Sequence, residues 1–111
     1  MGYLYLIIAI IGEVVGTLSL KSSNGFTAIT PSILVIVGYG VAFYFMILSM
    51  KTIPVAITYS IWSGVGIAAV TFIASIKFNE KPDIFAFLGL SFIIIGIIIL
   101  VSLSKMGAKI S

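Results

Sequence analysis

The residues able to do chemistry in this chain are few, and Glu13 is the most unusual of them. It stands near the middle of the apolar run Tyr3–Leu20. On insertion scales a charged side chain at that depth in a bilayer costs roughly 2.5–3.5 kcal/mol. No lysine falls inside an apolar run, and the other carboxylates, Glu80 and Asp83, share a polar loop. Glu13 therefore has no fixed counter-ion in its own chain. A lone carboxyl group in low dielectric escapes the cost of its charge by holding a proton, and releases it when a cation offers better compensation. That is the chemistry of a proton-coupled cation site. A permanently protonated glutamic acid, hydrogen-bonded between helices, is the structural alternative.

Spacing supplies a setting for it. On a helix Ala9, Ile10, Gly16 and Thr17 share the face of Glu13, with Leu6 a turn further back. Small Ala9, Gly16 and Thr17 leave room before the carboxylate, although Gly12 and Gly16 also form a pair suited to close helix packing. Tyr59, Trp62, Ser63 and Gly66 fall on one helical stripe, and Trp62 lies near mid-span rather than in the interfacial belt where tryptophan usually sits. Facing Glu13, this stripe offers a cation a π face and offers the carboxylate N–H and O–H donors. Tyr39, between Gly38 and Gly40, adds a further wall. Simple packing is the competing use of such a stripe. Gly64 and Gly66 suggest a mid-helix hinge, with close helix contact as the alternative. Gly89 and Gly96 share one face of the last run and mark a dimerisation element.

These residues need elements to position them, and the composition names the class. Of 111 residues, 61% are hydrophobic and 8% charged, with a mean hydropathy of +1.35. A soluble domain carries charge at roughly a quarter of its positions. The expectation is an all-α integral membrane protein, one membrane domain over residues 1–111. Polar and turn-forming residues cut it into transmembrane helices at about 3–20, 32–50, 54–76 and 84–103, each near the ~20 residues that cross a bilayer. Asn24-Gly25 signals a turn in the first loop, and Pro54 suits the opening turn of the third helix. Short connections make each helix antiparallel to the one before and leave both termini on one side. Glu13 and the lack of a basic n-region argue against a cleaved leader in the first run.

Cysteine and histidine are absent. Disulfides, thiol nucleophiles, imidazole catalysis and most transition-metal sites go with them. No nucleophile–base pair can be assembled, so neither an enzyme nor a cofactor or metal is expected. The net charge of +3 comes from lysines scattered singly at segment ends. Without a basic cluster, nucleic acid is not a partner; the bilayer is. Lys51, Lys105 and Lys109 lie on the side of the termini, and Lys21, Lys77 and Lys81 on the other. The usual lysine bias that fixes orientation is thus zero. Either another feature fixes one orientation, or both insert and opposite copies pair as an antiparallel homodimer. Four helices alone enclose little cavity, so handling a substrate inside the bilayer calls for a second copy.

Together, Glu13-Val14-Val15-Gly16-Thr17, Lys21-Ser22-Ser23-Asn24-Gly25-Phe26-Thr27, Ile53-Pro54 and Tyr59-Ser60-Ile61-Trp62-Ser63-Gly64-Val65-Gly66 resemble the small multidrug resistance family of bacterial transporters. The resemblance covers essentially the whole chain. It implies an antiparallel homodimer of dual topology in the bacterial inner membrane, with Glu13 binding proton and substrate and with Trp62, Tyr59 and Tyr39 in the pocket. Family members exchange protons for aromatic or quaternary ammonium cations, or for guanidinium ions. The guanidinium branch typically carries tryptophan where this chain has Gly16, so Gly16, Thr17 and Trp62-Ser63 look more like the multidrug branch. At Ala42 some members carry serine. The expected activity is proton-coupled export of lipophilic cations, such as quaternary ammonium compounds and cationic dyes, by alternating access. The alternatives are a guanidinium exporter, half of a heterodimeric polyamine exporter, and a non-transporting membrane subunit.

Overall fold

The computed structural model describes residues 1–104; Lys105 and Lys109 lie outside them. The chain forms helices α1 (Gly2–Ser22), α2 (Ile29–Ser49), α3 (Val55–Lys77) and α4 (Ile84–Ser102). Each is long and apolar enough to cross a membrane, and no strand occurs among the described residues. Their lipid-compatible surface follows from their composition: residues such as Ile29, Ile36, Phe72 and Phe92 expose most of their side chains.

The connections are tight and specific. Asn24, Gly25 and Phe26 all take left-handed backbone, with φ of 49°, 69° and 68°. Gly25 does so without steric cost, whereas Phe26 is strained. The Ser23 carbonyl accepts from both Thr27 N and Ala28 N at 2.9 Å, and Ser23 Oγ accepts from Phe26 N. This reversal lets α2 begin at Ile29, three residues ahead of the expected Ser32. Pro31 is tolerated there because the first N–H groups of a helix have no intrahelical acceptor. Pro54 caps α3 rather than opening it, its carbonyl accepting from Thr58 N at 2.9 Å. In the last loop Asp83 Oδ1 accepts from Ala86 N at 2.9 Å and caps α4. Lys21, at the end of α1, pairs with Glu80 and lies over the Phe78 ring, tying the first loop to the third.

Helices α1 and α2 pack most closely. A Cβ on Gly12 would stand 2.7 Å from the Gly38 carbonyl oxygen, and one on Gly38 would stand 2.7 Å from that of Gly12. Only two glycines permit this backbone approach. Leu6, Ile10 and Val14 of α1 form the buried core, packed against Ile61, Trp62, Ala69, Val70 and Ile73 of α3. Helix α4 rests mainly on α3, where Ile97 and Ile93 cover Gly64. None of its residues is buried. The resulting molecule is a slab of 45 × 35 × 17 Å.

Candidate functional site

Glu13 is partly buried on α1. Thr17, one turn on, donates its hydroxyl to Glu13 Oε1 at 2.9 Å. Thr17 Oγ1 also lies 2.6 Å from the Tyr39 hydroxyl of α2. A threonine hydroxyl has one proton. With that proton on the Glu13 side, Tyr39 donates to Thr17, giving a directed relay from Tyr39 through Thr17 to the carboxylate. The second oxygen, Oε2, is buried without a hydrogen-bond partner among the described residues. It is aimed at α3, where a Cβ on Gly66 would stand 2.7 Å from it.

Gly16 serves the ring as well as the backbone approach, since a Cβ on Gly38 would stand 2.8 Å from its nitrogen. A Cβ on Gly16 would meet the Tyr39 ring at 3.2–3.3 Å, so a larger side chain would push the ring away. Both small positions in Gly12-x-x-x-Gly16 therefore pack helices, and Gly16 also seats an aromatic.

From Tyr39 the rings continue as a wall. Tyr39 stacks on Phe43 with centroids 6.1 Å apart, Phe43 tilts against Trp62 at 6.3 Å, and Trp62 stacks on Tyr59 at 5.8 Å. Trp62 Nε1 is the other buried polar atom without a partner among the described residues. Phe43 and Tyr59 remain 54% and 58% exposed, so the wall has an uncovered side. A carboxyl group with an unpartnered oxygen and a row of π faces are together suited to a cation that is also apolar.

Sequence reasoning did not single out Phe43. Its signal was the i, i+4 spacing from Tyr39, which puts both rings on one face of α2. The other anticipated residues are distributed as follows. Leu6, Ala9 and Ile10 are buried inside the protomer, Leu6 and Ile10 among the α1–α3 core contacts. Ser63 is partly buried beside Trp62. Gly64 and Gly66 lie in unbroken helix, Gly64 facing Ile97 of α4 and Gly66 facing Glu13. Gly89 and Gly96 meet no neighbour and lie open on α4. Ala42, the position where some family members carry serine, is fully buried and its nitrogen approaches Gly12. Among the described residues no group of histidine, cysteine, aspartate and glutamate could hold a metal ion.

Comparison with known proteins adds a family to this geometry. The family model described as Small Multidrug Resistance protein matches residues 1–94. The quaternary ammonium compound-resistance protein QacE of Escherichia coli is 49% identical over 107 residues, 96% of this chain and 97% of its own. QacF of Klebsiella aerogenes, named in the same terms, is 47% identical over 106 residues, 96% of each chain. The multidrug transporter PA4990 of Pseudomonas aeruginosa is 44% identical over 103 residues, 93% of this chain and 94% of its own. The family is one of drug-resistance proteins and not an enzyme class. With its four spans the chain is a multi-pass protein of the bacterial inner membrane. It belongs to the small multidrug resistance family of transport proteins.

Proposed function

We infer that the protein is a proton-coupled antiporter that exports lipophilic aromatic cations, including quaternary ammonium compounds, as an antiparallel homodimer. What supports this most is the pairing of a half-satisfied carboxylate with an aromatic wall. Glu13 Oε2 is buried and without a partner among the described residues, and Tyr39, Phe43, Trp62 and Tyr59 stand on contiguous ring contacts beside it. The names of the relatives, which attach quaternary ammonium resistance and multidrug transport to those proteins, point the same way.

In this reading Glu13 binds either a proton or the cation. The Thr17 and Tyr39 hydroxyls steady the ionised form through the relay, and the cation supplies the counter-charge that Oε2 lacks. The rings compensate the cation for lost water, at about 0.5–2 kcal/mol per face. The slab is open along the wall, and a second, inverted copy completes the cavity with its own Glu13. Alternating opening then lets protons from one side displace the cation toward it. A tenfold proton gradient contributes about 1.4 kcal/mol per proton, and 100 mV about 2.3 kcal/mol per net charge moved. Gly16 argues against a guanidinium exporter, since the space for a larger side chain is filled by the Tyr39 ring.

Tetraphenylphosphonium binding to detergent-solubilised protein, followed from about pH 5 to about pH 9, tests the reading. Binding should strengthen as pH rises, because protons and cation compete for one carboxylate, and Glu13→Gln should abolish it. Binding indifferent to both pH and the substitution would leave Glu13 a structural group and remove the exchange mechanism.

A further inference from the structure

The back of α3 carries a second feature. Ala68, Thr71, Phe72 and Ser75 form a stripe that lines a cleft of about 450 Å³ together with Phe87 and Leu90 of α4. At 100° per residue this stripe lies about 120–180° round α3 from Gly66, on the face turned away from Glu13. A second cleft of about 370 Å³ shares Phe87 and Leu90 and continues along α4 past Ser91 and Ile94 to Ile95. The two form one apolar groove. From the start of α4 at Ile84 to Ile95 it runs about 17 Å, close to half of a hydrocarbon layer about 30 Å thick. That is the depth of one leaflet.

The mouth of the groove is charged. Lys81 and Pro82 line its loop end. Nearby Lys21 is engaged by Glu80 and by the Phe78 ring, and Lys77 lies over the same ring. Asp83 is engaged by the first turn of α4. Among the described residues, Lys81 is thus the lysine at this end held by neither a carboxylate nor a ring. A cation at headgroup depth above an apolar groove one leaflet deep matches an anionic phospholipid, whose phosphate meets the lysine and whose acyl chain follows the groove.

A second copy is the other candidate occupant, and the geometry of α4 disfavours it. The groove residues Phe87, Leu90, Ser91, Ile94 and Ile95 lie about 100–160° round α4 from Gly89, and Gly96 shares the face of Gly89. Ile93 and Ile97, which touch Gly64, lie between the two faces. Pairing through the open glycines leaves the groove in lipid. We propose that the α3–α4 groove is a binding site for an anionic phospholipid, with Lys81 at the headgroup and Phe72, Phe87 and Leu90 against the acyl chain.

Spin-labelled phosphatidylglycerol and phosphatidylcholine in proteoliposomes test this, read as the fraction of motionally restricted label. Phosphatidylglycerol should associate about fivefold more strongly, the preference expected of one lysine near the surface. Lys81→Gln should erase that preference, while Lys51→Gln, at the other end of the helices, should keep it. Ala68→Phe should fill the groove and lower the restricted fraction of both lipids. A preference that survives Lys81→Gln would overturn the proposal. So would rapid crosslinking between copies carrying Leu90→Cys, which would assign the groove to a second protein chain; the absence of native cysteine makes that readout clean.

Discussion

Phe43 is where a single side chain separates binding from folding. It is more than half exposed, and its contacts are the Tyr39 and Trp62 rings rather than the core. Phe43→Leu keeps the apolar bulk and removes the ring. The loss of one aromatic contact is worth about 0.5–1.5 kcal/mol, so tetraphenylphosphonium affinity at high pH should fall by about two- to tenfold, with thermal unfolding in detergent unchanged. Phe85→Leu, on exposed α4, should leave both alone. Equal affinities for the two variants would take Phe43 out of the cation site. Much of the site's grouping was readable in advance, because helical spacing alone sets Thr17 beside Glu13 and Trp62 beside Tyr59. The link from Thr17 to Tyr39 was not readable. It depends on how α1 and α2 meet, and no pattern within either helix specifies the angle at which a hydroxyl on one finds a phenol on the other.

At the scale of elements, α1 and α2 meet most closely where Gly38 lies against Gly12 and Gly16. Gly38→Ala would put a Cβ 2.7 Å from the Gly12 carbonyl oxygen and 2.8 Å from Gly16 N, both backbone atoms that cannot rotate away. Overpacking of this kind costs about 1–3 kcal/mol, against the roughly 0.5–1 kcal/mol that alanine gains over glycine within a helix. The unfolding temperature should therefore drop. Gly40→Ala, which meets nothing within 4 Å, should hold or raise it. Should Gly38→Ala prove as stable as Gly40→Ala, the close approach is not the contact that fixes the pair. The shift would also reach the site, because Tyr39 is carried on the same stretch of α2. The four helices were plain in the sequence, since apolar runs broken by lysine and proline leave few other readings. Their ends were less plain: Ile29, Thr30 and Pro31 are helical because Ser23 closes the preceding reversal, a local loop geometry that neither proline nor the Asn24-Gly25 signal announces.

At the scale of the molecule, the slab is only 17 Å in its thinnest direction, and α4 buries none of its residues. A protomer of that shape exposes its aromatic wall, which is the reason for proposing a second copy, and the lysine balance bears on how that copy is oriented. On the sequence count of Lys51, Lys105 and Lys109 for the side of the termini against Lys21, Lys77 and Lys81 for the other, the positive-inside bias favours neither insertion. A single cysteine at Thr27, exposed in the first loop, reports orientation in a chain that has none of its own. If both insertions occur, a membrane-impermeant maleimide should label about half of the molecules in intact cells. Lys51→Gln then tips the balance, because the loops bearing Lys21, Lys77 and Lys81 become the more positive side and stay in the cytoplasm. External labelling at position 27 should fall toward zero, and resistance to quaternary ammonium compounds should fall with it, since opposite-facing partners are no longer made. Wild-type labelling that is already complete or already absent would mean one fixed orientation, and the antiparallel pair would have to be given up. Labelling that shifts while resistance persists would keep dual insertion but break its connection to transport.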